Sequence, residues 1–102
     1  MAELVRVGSL ADLKPGQALC VDVKGTQVAL YNVDGQVWAT ANTCAHRGGP
    51  LGEGSLEGGI VTCPWHAFQF DVTNGRCATN PALSVACYPV RIDGQDILVE
   101  CP

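Results

Sequence analysis

The sequence predicts an all-β fold, an antiparallel sandwich or barrel of roughly seven to nine short strands. Three observations point there. Twelve glycines and six prolines interrupt the chain almost everywhere. Short runs alternate apolar and polar residues with a period of two. Turn-forming dipeptides separate those runs.

The longest stretch free of Gly and Pro runs from Gln36 to Arg47 and is rich in Val, Trp and Thr. A helix of ordinary length, about 11–12 residues, would have to sit there. Helix is therefore not expected as a main element. Along the chain, Leu19, Val21 and Val23 alternate with Cys20 and Asp22. Val28, Leu30 and Asn32 alternate with Ala29, Tyr31 and Val33, and Ala86, Tyr88, Val90 and Ile92 alternate with Cys87 and Arg91. Each pattern marks a strand with one buried face. Lys24-Gly25, Asp34-Gly35, Asn74-Gly75 and Asp93-Gly94 supply the turns, since Asn or Asp before Gly favours positive φ and a tight hairpin.

With 102 residues the chain is expected to form one domain over its whole length, 1–102. Its hydrophobic share of 47% is ordinary, and its charged share of 16% is low against the usual ~25%. The net charge of −4 argues against a nucleic-acid binder, which needs a basic footprint. The longest uncharged run, Cys77 to Val90, contains two prolines and is too short to span a membrane. Met1-Ala2-Glu3 does not open a secretory signal, so a cytoplasmic protein is expected. Six cysteines in that compartment point to metal ligands or reduced thiols rather than to disulfides.

Thr43 to Ile60 departs from the strand pattern. It carries seven residues that are Gly or Pro, namely Gly48, Gly49, Pro50, Gly52, Gly54, Gly58 and Gly59. It reads as a long irregular loop, a form that is usually functional in a compact domain.

Cys44-Ala45-His46 stands near the start of that loop, and Cys63-Pro64-Trp65-His66 just beyond its end. Two thiolates and two imidazoles make a complete four-ligand set and use every histidine in the chain. Zinc is one reading of such a set. Structural zinc sites, however, generally pair like ligands within each element, whereas here each segment supplies one Cys and one His. Two such loops facing each other would put both cysteines on one metal and both histidines on its neighbour, as in a [2Fe–2S] centre in which imidazoles replace the thiolates on one iron.

At these residues the sequence resembles the Rieske family. Cys44-Ala45-His46-Arg47-Gly48-Gly49 and Cys63-Pro64-Trp65-His66 match its two cluster-binding boxes. Phe70-Asp71-Val72-Thr73-Asn74-Gly75, Tyr88-Pro89-Val90 and Asp96-Ile97-Leu98-Val99 look like further family positions. The resemblance implies a Rieske-like antiparallel β-sandwich with a small cluster-binding subdomain of two loops, about 43–50 and 62–68, at its tip. It also implies that Cys44 and Cys63 hold the inner iron and His46 and His66 the outer, more exposed one.

High-potential members of the family carry an extra Cys in each box, joined as a disulfide; here Gly49 and Trp65 stand there. Those members also place a Ser and a Tyr after the second box, where this chain has Phe68 and Phe70. Hydroxyl donors to the sulfurs stabilise the reduced state, so their loss predicts a potential near the bottom of the Rieske range, about −150 mV. The pattern is similar to that of soluble Rieske ferredoxins serving ring-hydroxylating oxygenases of aromatic catabolism.

A one-electron carrier is therefore expected, working between a flavoprotein reductase and a terminal Rieske oxygenase. The electron is expected to settle on the His-bound iron, nearest the surface. The alternative is a Rieske small subunit fixed in a larger enzyme, such as an assimilatory nitrite reductase. No histidine remains for a mononuclear oxygenase iron. Gly52-Glu53-Gly54-Ser55-Leu56-Glu57 lacks the last Gly of a dinucleotide fingerprint. No Cys-x-x-Cys-His marks covalent haem. The chain is thus not expected to be an enzyme in its own right.

Of the other positions, Cys20, Cys77, Cys87 and Cys101 read as half-buried strand thiols, and Phe68 and Phe70 as core-facing. Trp65 reads as either a core or an interface aromatic. Gly48, Gly49 and Pro50 would shape the first loop, and Pro81 resembles a family proline in a third loop. Arg47 is a loop charge or a docking contact. The acidic balance could steer the chain toward basic partners.

Overall fold

The computed structural model describes residues 3–23, 25–42, 51–64, 68–78 and 82–101. Among them are ten strands and no α-helix, one to three strands more than the alternation suggests. The strands are β1 (Glu3–Ser9), β2 (Ala18–Val23), β3 (Thr26–Val33), β4 (Gln36–Ala41), β5 (Ser55–Glu57), β6 (Ile60–Thr62), β7 (Gln69–Asp71), β8 (Cys87–Tyr88), β9 (Val90–Asp93) and β10 (Asp96–Cys101). Single 3-10 turns cover Leu10–Asp12 and Leu51–Glu53.

Three antiparallel sheets result, in the orders β1-β10-β9, β2-β3-β4-β8 and β5-β6-β7. The first two close a sandwich over Leu13, Val23, Val28, Leu30, Val37, Ile97 and Val99.

 Ala39 belongs to the same core. The Val, Leu and Ile side chains here contribute about 1.5–3 kcal/mol each when fully buried, the larger ones most.

β3 holds the molecule together. Residues 28 to 32 are all buried, so both faces of this strand are covered rather than the single face expected. Val28 and Leu30 point into the sandwich, while Ala29 and Tyr31 point the other way, into a second core with Leu51, Val61, Cys63, Phe70, Val72 and Cys77. The period of two thus divides one strand between two cores.

Asp34-Gly35 closes the β3–β4 hairpin as expected. Both residues have positive φ (53° and 93°), and Val33 pairs with Gln36. Gly25 and Gly94 also take positive φ at their predicted turns. Asn74-Gly75 turns the chain without joining two strands. Its Gly75 donates to the Asp71 carbonyl at 2.7 Å, and a Cβ there would collide with the Val85 carbonyl.

Two expectations need correcting. The run Ala86 to Ile92 is not one strand: β8 pairs with β4 and β9 with β10, so the chain changes sheets at Pro89, which has no N–H to continue a ladder. The stretch 51–60 is not irregular either. It holds the turn at Leu51–Glu53 and β5, and it enters β6 through Gly58-Gly59 (φ 57° and 88°), a tight two-residue hairpin with Glu57 opposite Ile60. Glycines that weigh against a strand on count alone here serve the turn between two strands of three residues.

Candidate metal centre

The small sheet β5-β6-β7 covers the second core, on the side of β3 away from the sandwich. The expected tip is therefore founded on a sheet. Of the four expected ligands, Cys63 lies within the described residues; Cys44, His46 and His66 lie outside them, as do Arg47, Gly48, Gly49, Pro50, Trp65 and Pro81.

The described residues fix the roots of both ligand segments. Segment 43–50 leaves β4 through Asn42 and returns at Leu51, whose N–H donates to the Asn42 carbonyl at 2.7 Å. Leu51 is fully buried in the second core and anchors the return. The other segment begins at Cys63, directly after β6, so Thr62 belongs to the strand rather than to the loop. The Cys63 N–H donates to the Phe68 carbonyl at 2.7 Å and holds the two flanks of this segment together.

The two roots are neighbours. Gly54 donates to the Leu51 carbonyl at 3.0 Å and lies so close to Thr62 that a Cβ would collide with the Thr62 carbonyl. Leu51 and Cys63 pack in one apolar cluster. The tip thus brings the ends of the two Cys/His segments together, as ligands shared between two loops require.

Cys63 is 1% exposed and carries a free thiol. A buried thiol at a loop root suits the inner iron of a [2Fe–2S] centre, where thiolate ligation is kept from water. Phe70 is buried beneath it in the same core, and Phe68 packs half-buried against that core, as their alternation with Gln69 predicts. Neither residue brings a hydroxyl to the site.

The remaining cysteines do not share one environment. Cys77 is buried in the second core, Cys20 is half-buried, and Cys87 is exposed; the Cys101 side chain lies outside the described residues. Burial pushes the Cys20 thiol above its usual range, and the Glu53 carboxylate adds to the shift. Burial, with Asp71 second, does the same for Cys87. Tyr31, beneath the tip, bonds to Thr40 Oγ1 at 2.9 Å, and burial holds its phenol neutral.

Asn42 is a residue that the sequence reading does not single out. Its signal is a turn-forming side chain at a strand end, two positions before a Cys-x-His box.

Residues 3–89 match the Rieske [2Fe-2S] domain family. The ferredoxin component of a naphthalene 1,2-dioxygenase system from Pseudomonas aeruginosa is 38% identical, over 90% of this chain and 89% of its own. The ferredoxin of carbazole 1,9a-dioxygenase from Nocardioides aromaticivorans IC177 superposes with a TM-score of 0.88 at 36% identity, over 94% of this chain and 95% of its own. A putative NADH-dependent nitrite reductase small subunit from Mycobacterium tuberculosis gives a TM-score of 0.91 at 27% identity over the full chain. The chain belongs to the Rieske [2Fe-2S] domain family. Within it, the chain is an electron-transfer protein of the ferredoxin type that carries one Rieske-type cluster, and zinc is set aside.

Proposed function

We propose that the chain is the soluble carrier of an aromatic-ring dioxygenase system, taking single electrons from a flavoprotein reductase and delivering them to a Rieske-type oxygenase. The observation that carries this reading is the identity to a dioxygenase ferredoxin along nine-tenths of the chain. The placement of two loop roots side by side over one buried cysteine agrees with it. Cys44 and Cys63 hold the inner iron, and His46 and His66 the outer one. Once bound, the cluster supplies a reversible one-electron couple. The protein's own part is to supply the four donors, to bury Cys63, and to present the histidine-bearing end to a partner. The whole chain acts as one domain in the cytoplasm.

Phe68 and Phe70, in place of hydroxyl donors, keep the potential at the low end of the Rieske range, about −150 mV. A midpoint well above zero would refute that assignment. The acidic balance steers encounter, so reduction by the reductase slows as salt rises; a flat salt dependence removes steering.

The function itself is tested by reconstitution. Adding the purified chain to a reductase and a ring-hydroxylating oxygenase restores turnover that the two lack alone. Obligate copurification with a large reductase subunit would favour the second reading, a fixed nitrite reductase small subunit, which the full-length likeness to such a subunit keeps in view.

A further inference from the structure

Asn42 makes four main-chain and side-chain contacts at the point where the first ligand segment leaves the fold. Its N–H donates to the Gln27 carbonyl at 3.1 Å, and its carbonyl accepts from Leu51 N–H at 2.7 Å. Its Oδ1 accepts twice, from Gly52 N–H at 2.8 Å and from the Cys20 thiol at 3.1 Å. One amide oxygen has two lone pairs, and both are engaged here. The side chain is 7% exposed, so water cannot readily replace either donor.

The partners leave no spare room. A Cβ on Gly52 would collide with Cys20 Sγ and lie 3.0 Å from Asn42 Oδ1. Cys20 is on β2 and Asn42 follows β4, while Gly52 lies in the turn that ends the segment. Three separate parts of the chain thus meet at one oxygen. The main-chain bond from Leu51 alone would set the distance between the segment's ends. The side-chain bonds also tie those ends to β2, and so to the rigid sandwich.

We propose that Asn42, with Cys20 and Gly52, is a positioning unit for the ligand pair Cys44 and His46, holding the first cluster segment in register with the second. The proposal rests on the assignment of Cys44 and His46 as ligands. Cys20 serves it as a thiol donor, a role outside the four-residue ligand set. Asn42 touches no metal; it acts through where the segment begins and ends.

The test uses the intact holoprotein and follows iron release to a chelator at neutral pH, alongside far-UV circular dichroism and the midpoint potential. Asn42→Leu keeps the shape but removes the double acceptor, and should release iron at least about tenfold faster, the scale of an unmade buried hydrogen bond. The β spectrum of the holoprotein should persist while the cluster bleaches. Asn42→Asp, which keeps both acceptors, should restore most of the retention. Iron release at the parent rate from Asn42→Leu would overturn the proposal, and so would loss of iron only in step with global unfolding.

If Asn42→Leu does not fold, Cys20 gives a second reading. Cys20→Ser preserves a donor and should hold the cluster, whereas Cys20→Ala should release it faster and shift the potential; equal behaviour of the two would overturn the proposal. Gly52→Ala should be harmful with Cys20 present and partly relieved by Cys20→Ala. The ligand assignment is read separately: a His46→Ala protein that keeps a normal cluster spectrum would refute that assignment whatever Asn42 does.

Discussion

The sandwich and the tip are built on opposite faces of the same strand, yet they are held together differently. The sandwich rests on strands of mostly six to eight residues and a core of aliphatic side chains such as Leu30, Ile97 and Val99. The tip rests on three strands of three residues each, a core that includes two thiols and a phenol, and loop roots fixed by a few hydrogen bonds. Pairs of three-residue strands are marginal by themselves. The comparison teaches that the scaffold folds on apolar burial, while the tip depends on β3 behind it and on the cluster it holds.

Removing Cys63, a member of the proposed ligand set, should have the largest effect and the most local one. Cys63→Ala should leave no cluster, measured as loss of iron, sulfide and visible colour, with the β signature of the sandwich retained. A variant that kept its full iron content would break the distinction between the regions.

Leu30→Ala tests the opposite case. It should cost about 2–5 kcal/mol of unfolding free energy, as for a fully buried leucine. The spectrum of the folded fraction should not change. A cluster spectrum altered at constant fold would show that the two cores are not independent.

Alkaline pH should act more weakly, and through the strands facing the tip. The Cys20 thiol and the Tyr31 phenol are both raised in the fold by burial. Their contribution is fully present below the unfolded pKa values and is lost as pH rises through the higher folded ones. Urea unfolding should therefore show a stability plateau near neutrality and a decline above the usual cysteine range of about 8.5. Stability that increased on going alkaline would contradict the assignment.

The smallest effect is expected at the far sheet. Arg6 and Asp96 pair across β1 and β10 at 2.8 Å, both well exposed. Arg6→Ala should change stability by about 0–1 kcal/mol and leave the potential alone. Denaturant midpoints and a redox titration would check both statements.

Much of this division was legible in the residues. Period-two alternation marks β2 and β3, and Asp34-Gly35 marks their neighbouring hairpin, because both signals are local. The two Cys/His boxes stand out in the sequence as candidate ligands, and of their four donors the described residues include Cys63. Burial on both faces of β3 was not, because alternation among apolar residues such as Ala29 and Leu30 cannot reveal what packs on each side. The change of sheet at Pro89 and the short strand β5 depend on partners distant in sequence. Asn42 becomes significant only when β2, β4 and the turn at Leu51–Glu53 are placed in space, since Cys20 and Gly52 lie 22 and 10 residues from it.

The central claim is that two sulfur and two nitrogen donors hold one bridged pair of irons. It is tested most directly by nitrogen hyperfine spectroscopy on the reduced protein, labelled with 15N at histidine and assayed for iron and acid-labile sulfide. The account predicts two irons, two sulfides and two histidine nitrogens coupled to the electron spin. A reduced cluster without histidine coupling, or a protein holding zinc and no sulfide, would contradict it.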